Sequence, residues 1–197
     1  MDFFTGLLSL GKPSPVEIIS WKGLPVDVAR NRLAKDALEK NARYLFMLDA
    51  DILPPPSGLL RLLSWRLPIV SGLYYAKTGH VAAWRQDPDE PEFFNPLKEI
   101  PRGGLVEVDA VGAGCLLVDT RVFRVIPEPW FEWGQRDPKI KKGVTEDMMF
   151  CQKAQDHGFR IWVDSECDCR HEMLLPVDTS GKSEIVVHQV DFRPQVV

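Results

Sequence analysis

The stretch YLFMLDAD at residues 44–51 decides the predicted fold. Its five apolar residues are typical of a strand that is buried on both faces in the middle of a parallel sheet. Two carboxylates, Asp49 and Asp51, follow where this strand ends. An unpaired charge is costly to bury, whereas oxygen ligands suit a hard divalent cation. Because ligands of open α/β sheets bind beyond the carboxyl ends of the strands, the pair indicates a metal site.

Strand and helix patterns alternate around this stretch. Strands are predicted at residues 16–20 and 68–73, a helix runs from Pro25 to about Asn41, and Ser57 caps a short helix. Such alternation implies parallel β-α-β units. We therefore predict an α/β fold, an αβα sandwich with a mostly parallel central sheet, as a single domain over residues 1–197.

The rest of the chain adds further elements to this plan. Strands are predicted at residues 105–111, 115–118 and 159–163, with a β-rich stretch at 185–190. Thr145 caps a helix that ends at His157. Residues 1–10 form an amphipathic helix pattern in which Phe3, Leu7 and Leu10 share one face.

Composition excludes several classes of protein. Hydrophobic residues make up 45% and charged residues 26% of the chain, as in ordinary globular proteins. The net charge of −4 gives no broad basic field, so we expect no duplex nucleic acid partner. No apolar stretch approaches the roughly 20 residues of a transmembrane helix, and the start lacks the basic region of a signal peptide. We expect a cytoplasmic protein with reduced thiols.

Two further acids, Glu146 and Asp147, stand in the first turn of the Thr145 helix. Acids at this place can be purely structural, because they complement the helix dipole by about 0.3–1 kcal/mol. Thr145 already supplies the predicted cap, and an aromatic loop at 127–133 and a basic loop at 136–143 precede the helix. A role of the two acids in binding or catalysis therefore stays open.

Other positions also have both a structural and a functional interpretation. Arg30 either pairs with acids on its helix surface or binds phosphate through its forked donors. The Gly112–Gly114 segment either forms a plain turn or lets a ligand approach the backbone closely. Trp130 and Trp133 either pack in the core or stack on a sugar ring.

His171 lies 120 residues after Asp51, so only folding can bring the two together. A neutral imidazole is a suitable manganese ligand. In the rival interpretation, Cys167 and Cys169 bind zinc together with His171. A closed zinc site needs a fourth ligand, and neither of the other two cysteines has a paired spacing. We therefore predict that the cysteines are structural and that the histidine alone reaches the metal.

The order of these features resembles the GT-A fold glycosyltransferases, in particular their family 2-like branch. Along residues 29–171 it runs Ala-Arg-Asn, Asp-x-Asp, Gly-x-Gly, aromatic loop, Glu-Asp, strand and histidine. The chain departs from that pattern at its start. There, the helix-like segment 1–10 stands in place of the usual first strand, which carries nucleobase contacts.

The resemblance implies a hexosyltransferase-type enzyme that moves a sugar from a UDP- or GDP-linked donor to an unidentified hydroxyl acceptor. Asp147 would be the general base, with Glu146 orienting it or binding the acceptor. Mn2+ or Mg2+ would be held by Asp49, Asp51 and His171. The residues that would contact the donor are Arg30, Asn31, Asp49, Gly112, Ala113, Gly114 and Trp130.

Two alternatives come from other classes of function. A nucleotidyltransferase on a related fold also uses acids and a divalent metal at a strand end. It usually needs a glycine-rich basic loop near the N-terminus, for which residues 11–13 are too short a match. The other alternative is an inactive sugar- or nucleotide-binding module, which the replaced first strand supports.

Overall fold

The computed structural model describes residues 3–90, 93–134 and 144–172. The predicted stretch at 185–190 and the basic loop at 136–143 lie outside these ranges. The helices are α1 (Phe3–Ser9), α2 (Val26–Glu39), α3 (Gly58–Ser64), α4 (Arg121–Val125) and α5 (Glu146–Asp156). The strands are β1 (Tyr44–Leu48), β2 (Ile52–Leu53), β3 (Ile69–Leu73), β4 (Ala83–Gln86), β5 (Phe94–Pro96), β6 (Leu105–Val108), β7 (Ala110–Val111), β8 (Cys115–Asp119), β9 (Ile161–Asp168) and β10 (Arg170–His171).

The central sheet has five strands in the order β1-β8-β3-β9-β6. Only β3 and β9 pair in parallel, whereas β8 is antiparallel to both β1 and β3, and β6 is antiparallel to β9. The α/β fold class is confirmed, but the prediction of a mostly parallel sheet is wrong. Strands β1, β3 and β9 do run in one direction, as β-α-β units require. Strand β8 enters between β1 and β3 without a crossover helix, so the two pairings that it makes are antiparallel.

The helices cover both faces of the central sheet, and β8 shows how the core is divided. Leu116 and Val118 pack into a buried cluster with residues of α2, α4 and α5, whereas Cys115 and Leu117 face a second cluster with α3. This two-residue alternation is that of a strand buried on both faces. Full burial of each leucine contributes about 1.5–3 kcal/mol of transfer free energy.

Two small sheets extend the fold beyond the carboxyl end of β1. Strands β5, β4 and β7 form one, and β10 pairs with β2 in the other. The predicted strand at 105–111 is therefore two strands in different sheets. Asp109 separates them and accepts a hydrogen bond from the backbone N–H of Gln86 at 2.9 Å. The pairing of β10 with β2 places His171 opposite Ile52, next to Asp51.

Several local predictions are confirmed and others are wrong. Helices α2 and α5 begin and end close to the predicted residues, and α1 lies within the predicted segment 1–10. Residues 16–20 form no strand, because they are largely exposed and no strand within the described ranges pairs with them. Ser57 and Thr145 make no side-chain cap hydrogen bond. None of the helices in the described ranges has the length and apolar character needed to cross a membrane.

Candidate functional site

Arg30 of α2 joins the Asp-x-Asp turn to the start of α5. Its buried guanidinium lies 3.2 Å from a carboxylate oxygen of Asp49, donates a hydrogen bond to Glu146, and lies 3.8 Å from Asp147. The ion pairs of Arg30 are therefore with Asp49, Glu146 and Asp147, and not with acids on the surface of its own helix, which was one of the two interpretations of the sequence. Because its donors are directed at carboxylates, Arg30 connects three of the predicted site residues instead of presenting an open phosphate-binding fork.

The charges around Arg30 leave this region net negative. Burial alone would lower the pKa of Arg30, but Asp49, Asp147 and Glu146 raise it above its ordinary value, so the guanidinium stays charged. Burial and the neighbouring Asp147 raise the pKa of Glu146, although Arg30 acts in the opposite direction. Carboxylates outnumber the one guanidinium, and the resulting potential favours a cation close by.

Asp51 and His171 form the second part of the site. Nε2 of His171 lies 3.3 Å from Oδ2 of Asp51, and Nδ1 lies 2.8 Å from the carbonyl oxygen of Tyr75. A carbonyl oxygen only accepts, so Nδ1 donates to Tyr75 and Nε2 faces the Asp51 carboxylate. Among the described residues, the ligand atoms of Asp49, Asp51 and His171 do not all lie within 4.8 Å of one another, so the structure brings together the pair of Asp51 and His171 without Asp49.

Lys77 also contacts this pair. Its Nζ donates a hydrogen bond of 2.7 Å to Oδ2 of Asp51, and its side chain is about half exposed. Burial alone would raise the pKa of Asp51, but the contacts with Lys77 and His171 hold it below its usual value. Asp51 is therefore a stable anion, and a half-exposed lysine lies beside it. The sequence analysis did not identify Lys77.

The two acids of the Asp-x-Asp motif lie on one tight turn. The backbone N–H of Ile52 donates to the carbonyl of Asp49 at 3.0 Å, which closes the turn. The N–H of Asp49 donates to the carbonyl of Gly114 at 2.9 Å. The side chains of Asp49 and Asp51 are 46% and 40% exposed, so both carboxylates reach solvent beside the Gly112–Gly114 segment.

Gly112 and Gly114 allow a close approach of Tyr74. A Cβ at position 112 would lie 2.1 Å from the Tyr74 hydroxyl oxygen, and one at 114 would lie 2.9 Å from it. That hydroxyl accepts a hydrogen bond of 3.1 Å from Gly114 N–H. Burial, followed by the charge of Asp147, raises the pKa of Tyr74 far above its ordinary value. The sequence analysis missed Tyr74, although it directly follows a predicted strand, as Asp49 does.

Asp147 is fixed by donors from three residues. Oδ1 accepts hydrogen bonds from the Thr145 hydroxyl and, at 3.0 Å, from Met148 N–H. Oδ2 accepts from Ala113 N–H at 3.3 Å. The side chain of Asp147 is 15% exposed, compared with 5% for Glu146, which faces Arg30. Asp147 is thus the more accessible acid, and Glu146 acts through Arg30.

Asn31 and Trp130 have structural roles in place of the predicted donor contacts. Oδ1 of Asn31 accepts hydrogen bonds from the N–H groups of Trp130 and Phe131 at 2.9 and 3.1 Å, and Nδ2 donates to the Phe131 carbonyl at 2.7 Å. Trp130 is 2% exposed, and its indole N–H donates to the carbonyl of Phe123. A buried indole offers no face to a sugar, whereas Trp133 is 49% exposed.

Comparisons with known proteins show the fold alone. No protein-family model matches the chain, and no curated protein matches it. Among solved structures, the chain is similar to A197 from STIV, known from a crystal structure. The TM-score is 0.57 and the sequence identity 22%, over 84% of this chain and 78% of that one. The likeness therefore extends over most of both chains and supports the architecture described above.

Proposed function

We propose that the chain is a metal-dependent glycosyltransferase that moves a sugar from a nucleotide-diphosphate sugar to a hydroxyl acceptor. One observation carries the proposal. Residues that are distant in sequence, Asp49 and Asp51, Glu146 and Asp147, and His171, meet beyond the carboxyl end of β1. Several carboxylates that lie close together repel one another, so they are costly to keep together without a cation. Such a group of acids fits a site that binds a diphosphate together with a metal ion.

Asp49, Asp51 and His171 would hold Mn2+ or Mg2+, which when bound neutralises charge on the leaving diphosphate. Arg30 positions Asp49 through the contact at 3.2 Å and ties it to α5 through Glu146. In this proposal Lys77, whose Nζ already contacts Asp51, turns to the diphosphate once the carboxylate is neutralised. Lys77 thereby takes the phosphate contact that the resemblance assigned to Arg30.

Asp147 is the proposed general base. A sugar hydroxyl is a poor nucleophile until its proton is removed, and in this step the proton passes from the acceptor oxygen to a carboxylate oxygen of Asp147. The donors from Thr145, Met148 and Ala113 hold the carboxylate in one orientation. Glu146 and Arg30 are positioning residues, because they act on Asp147 and Asp49 without facing the acceptor.

Nucleotide binding tests the metal site directly. UDP and GDP are screened by thermal unfolding with and without MnCl2. A nucleotide at one hundred times its Kd stabilises the protein by about 2.7 kcal/mol, a rise in Tm of roughly 5–10 °C at this chain length. Asp51→Asn should abolish the manganese-dependent rise. Asp89→Asn, at an exposed loop acid, is the matched control and should keep it. Equal rises in both variants would contradict the proposal.

Turnover separates the proposed function from its alternatives. Nucleotide diphosphate released from a panel of UDP- and GDP-sugars, with an acceptor mixture, supports the transferase. Pyrophosphate released from a nucleoside triphosphate and a sugar phosphate would favour the nucleotidyltransferase. Manganese-dependent nucleotide binding without either product would favour the binding module.

A further inference from the structure

Three of the four cysteines converge inside the protein, in the buried cluster that includes residues of α3. The Sγ atoms of Cys115, Cys167 and Cys169 all lie within 4.8 Å of one another, and those of Cys115 and Cys169 are 3.5 Å apart. Each of these side chains is at most 5% exposed. The zinc set considered from the sequence, with His171, is not formed, because His171 faces Asp51. Cys115 takes its place.

Three neighbouring strands create this thiol cluster. Cys115 begins β8, Cys167 lies near the end of β9, and Cys169 directly follows that strand. As alternate residues of an extended segment, Cys167 and Cys169 place both sulfurs on one side of the chain. Strand β3 runs between β8 and β9 and has Gly72 at this level. A Cβ at position 72 would lie 2.8 Å from Sγ of Cys169 and 2.9 Å from that of Cys115. The sulfur atoms from either side of β3 therefore meet above Gly72, a position that has no side chain.

The surroundings of the thiol cluster are apolar. It belongs to the buried cluster on the α3 face, with Ile52, Leu59 and Leu62 among its members. Among the described residues, no histidine, carboxylate or fourth cysteine joins the group. Cys151 lies elsewhere and contacts the carbonyl of Val111. A site of three sulfurs with an apolar wall disfavours hard cations, which prefer oxygen, and lacks the fourth side chain of a structural zinc site.

The spacing of the sulfurs fits one ion. A metal–thiolate bond of about 2.3 Å, the length found for zinc, places three sulfurs in one plane about 4 Å apart. The distance of 3.5 Å between Cys115 and Cys169 lies below that value, and the upper limit of 4.8 Å for every pair lies above it. A soft ion of low charge that accepts three-coordinate sulfur is monovalent copper, and thiolate ligands select it.

We propose that Cys115, Cys167 and Cys169 bind one monovalent copper ion. Each thiol that becomes a ligand releases its proton to solvent, copper stays monovalent, and no electron is transferred. This thiol site is independent of the acidic site, because its sulfur ligands and the oxygen and nitrogen ligands of a diphosphate-bridging cation select different metals. The inference therefore stands or falls separately from the proposed transferase activity.

Anaerobic titration of the reduced full chain with copper(I), in competition with a chromophoric copper(I) chelator, tests the proposal. One ion per chain is expected, with only sulfur in its first shell by X-ray absorption at the copper edge. C115S and C169S should each weaken binding by about 10–100-fold or more, since even the loss of an outer-shell partner has that effect. C151S, at the remaining buried cysteine, should bind as the unchanged protein does.

The controls make every result decisive. Circular dichroism establishes whether each serine variant folds. If C115S does not fold, C169S is used in its place, because Cys169 is less buried than Cys115. Copper binding that survives in folded C169S would overturn the proposal. So would an absence of binding in the reduced protein, a persistent disulfide between these cysteines under reducing conditions, or zinc that is retained in preference to copper.

Discussion

Nε2 of His171 lies 3.3 Å from Oδ2 of Asp51, although 120 residues separate the two in the chain. The contact depends on the short pairing of β10 with β2, in which His171 is opposite Ile52. Its other nitrogen is held by the carbonyl of Tyr75, so the ring has one orientation. The pair of Asp51 and His171 is therefore positioned by backbone pairing, and a ligand that contacts both side chains would lose less entropy on binding.

Replacing this histidine should weaken the metal site without unfolding the protein. In His171→Ala, manganese-dependent binding of UDP or GDP should weaken about 10–100-fold, because the ion loses its only nitrogen ligand. Calorimetric titration with and without manganese measures the change. His157→Ala is the matched control, since His157 lies beyond the end of α5 and its ring forms a hydrogen bond with the carbonyl of Lys153, far in sequence from Asp51. If both variants bind as the unchanged protein does, His171 is no ligand.

Asp147→Asn should separate catalysis from binding. The transfer rate should fall by about 10²–10⁴-fold, the usual contribution of a general base, while donor affinity changes little. Asparagine keeps the size of the side chain and can accept from Thr145 and Met148, so the local structure should persist. Single-turnover kinetics and donor titration measure the two quantities. Asp156→Asn, at the opposite end of α5, is the matched control.

Full transfer activity in Asp147→Asn would exclude this residue as the base. Activity that is lost together with donor binding would instead indicate that Asp147 shapes the donor site through Ala113. Separate measurement of kcat and of donor affinity distinguishes a base from a merely structural residue, because the loss of a base lowers kcat alone.

The contact between Gly112 and Tyr74 can be tested by a double-mutant cycle. Gly112→Ala should destabilise the fold by about 1–3 kcal/mol, because its Cβ would overlap the Tyr74 hydroxyl. Tyr74→Phe should cost about 1–3 kcal/mol, because Gly114 N–H loses its acceptor. In the phenylalanine background the alanine should cost less, with a coupling of about 0.5–3 kcal/mol by urea unfolding. Strict additivity would show that the backbone moves and avoids the overlap.

The local periodicity of the sequence predicted most helices and the common direction of two strands. Strands β1 and β3 run alike, as the alternation of elements indicated. The sequence could not show that β8 enters between β1 and β3, because strand order depends on long-range packing and an apolar run such as 115–118 fits either direction. Residues 16–20 look like a strand by composition, but a strand needs a partner, and none of the strands that the structure describes pairs with them.

Within the site, residue types were more predictable than contacts. Asp49, Asp51, Glu146, Asp147 and His171 were all identified from the sequence and lie in one connected region. Arg30 was assigned to phosphate because no pattern reveals that three carboxylates surround it. The thiol cluster was missed for a similar reason. Its third member, Cys115, is 52 residues from Cys167, and only the pairing of β8 and β9 with β3 joins them.

A buried carboxylate away from the site should dominate the acid sensitivity of the fold. Asp164 of β9 is fully buried and accepts hydrogen bonds from Arg61 at 2.6 and 3.0 Å and from the indole N–H of Trp65 at 2.7 Å. Burial alone would raise the pKa of Asp164, but the hydrogen bonds from Arg61 and Trp65 lower it below its ordinary value. The native state therefore binds the Asp164 proton more weakly than the unfolded chain does.

This depressed pKa sets the direction of the pH dependence. The stabilisation is complete above the unfolded pKa of about 3.9 and is lost as the pH falls through the lower native pKa. Asp164→Asn should destabilise the protein by about 1–3 kcal/mol at pH 7, a moderate loss because Arg61 is one-third exposed and can be rehydrated. The difference from the unchanged protein should shrink from about pH 5 downward.

Asp168→Asn on the same strand breaks a pair with Arg102 that is more than half exposed, and should cost at most about 1 kcal/mol. Urea unfolding from pH 7 to pH 3 measures both. A difference for Asp164→Asn that stays constant over this range would show that packing, and not the ionised carboxylate, accounts for its effect.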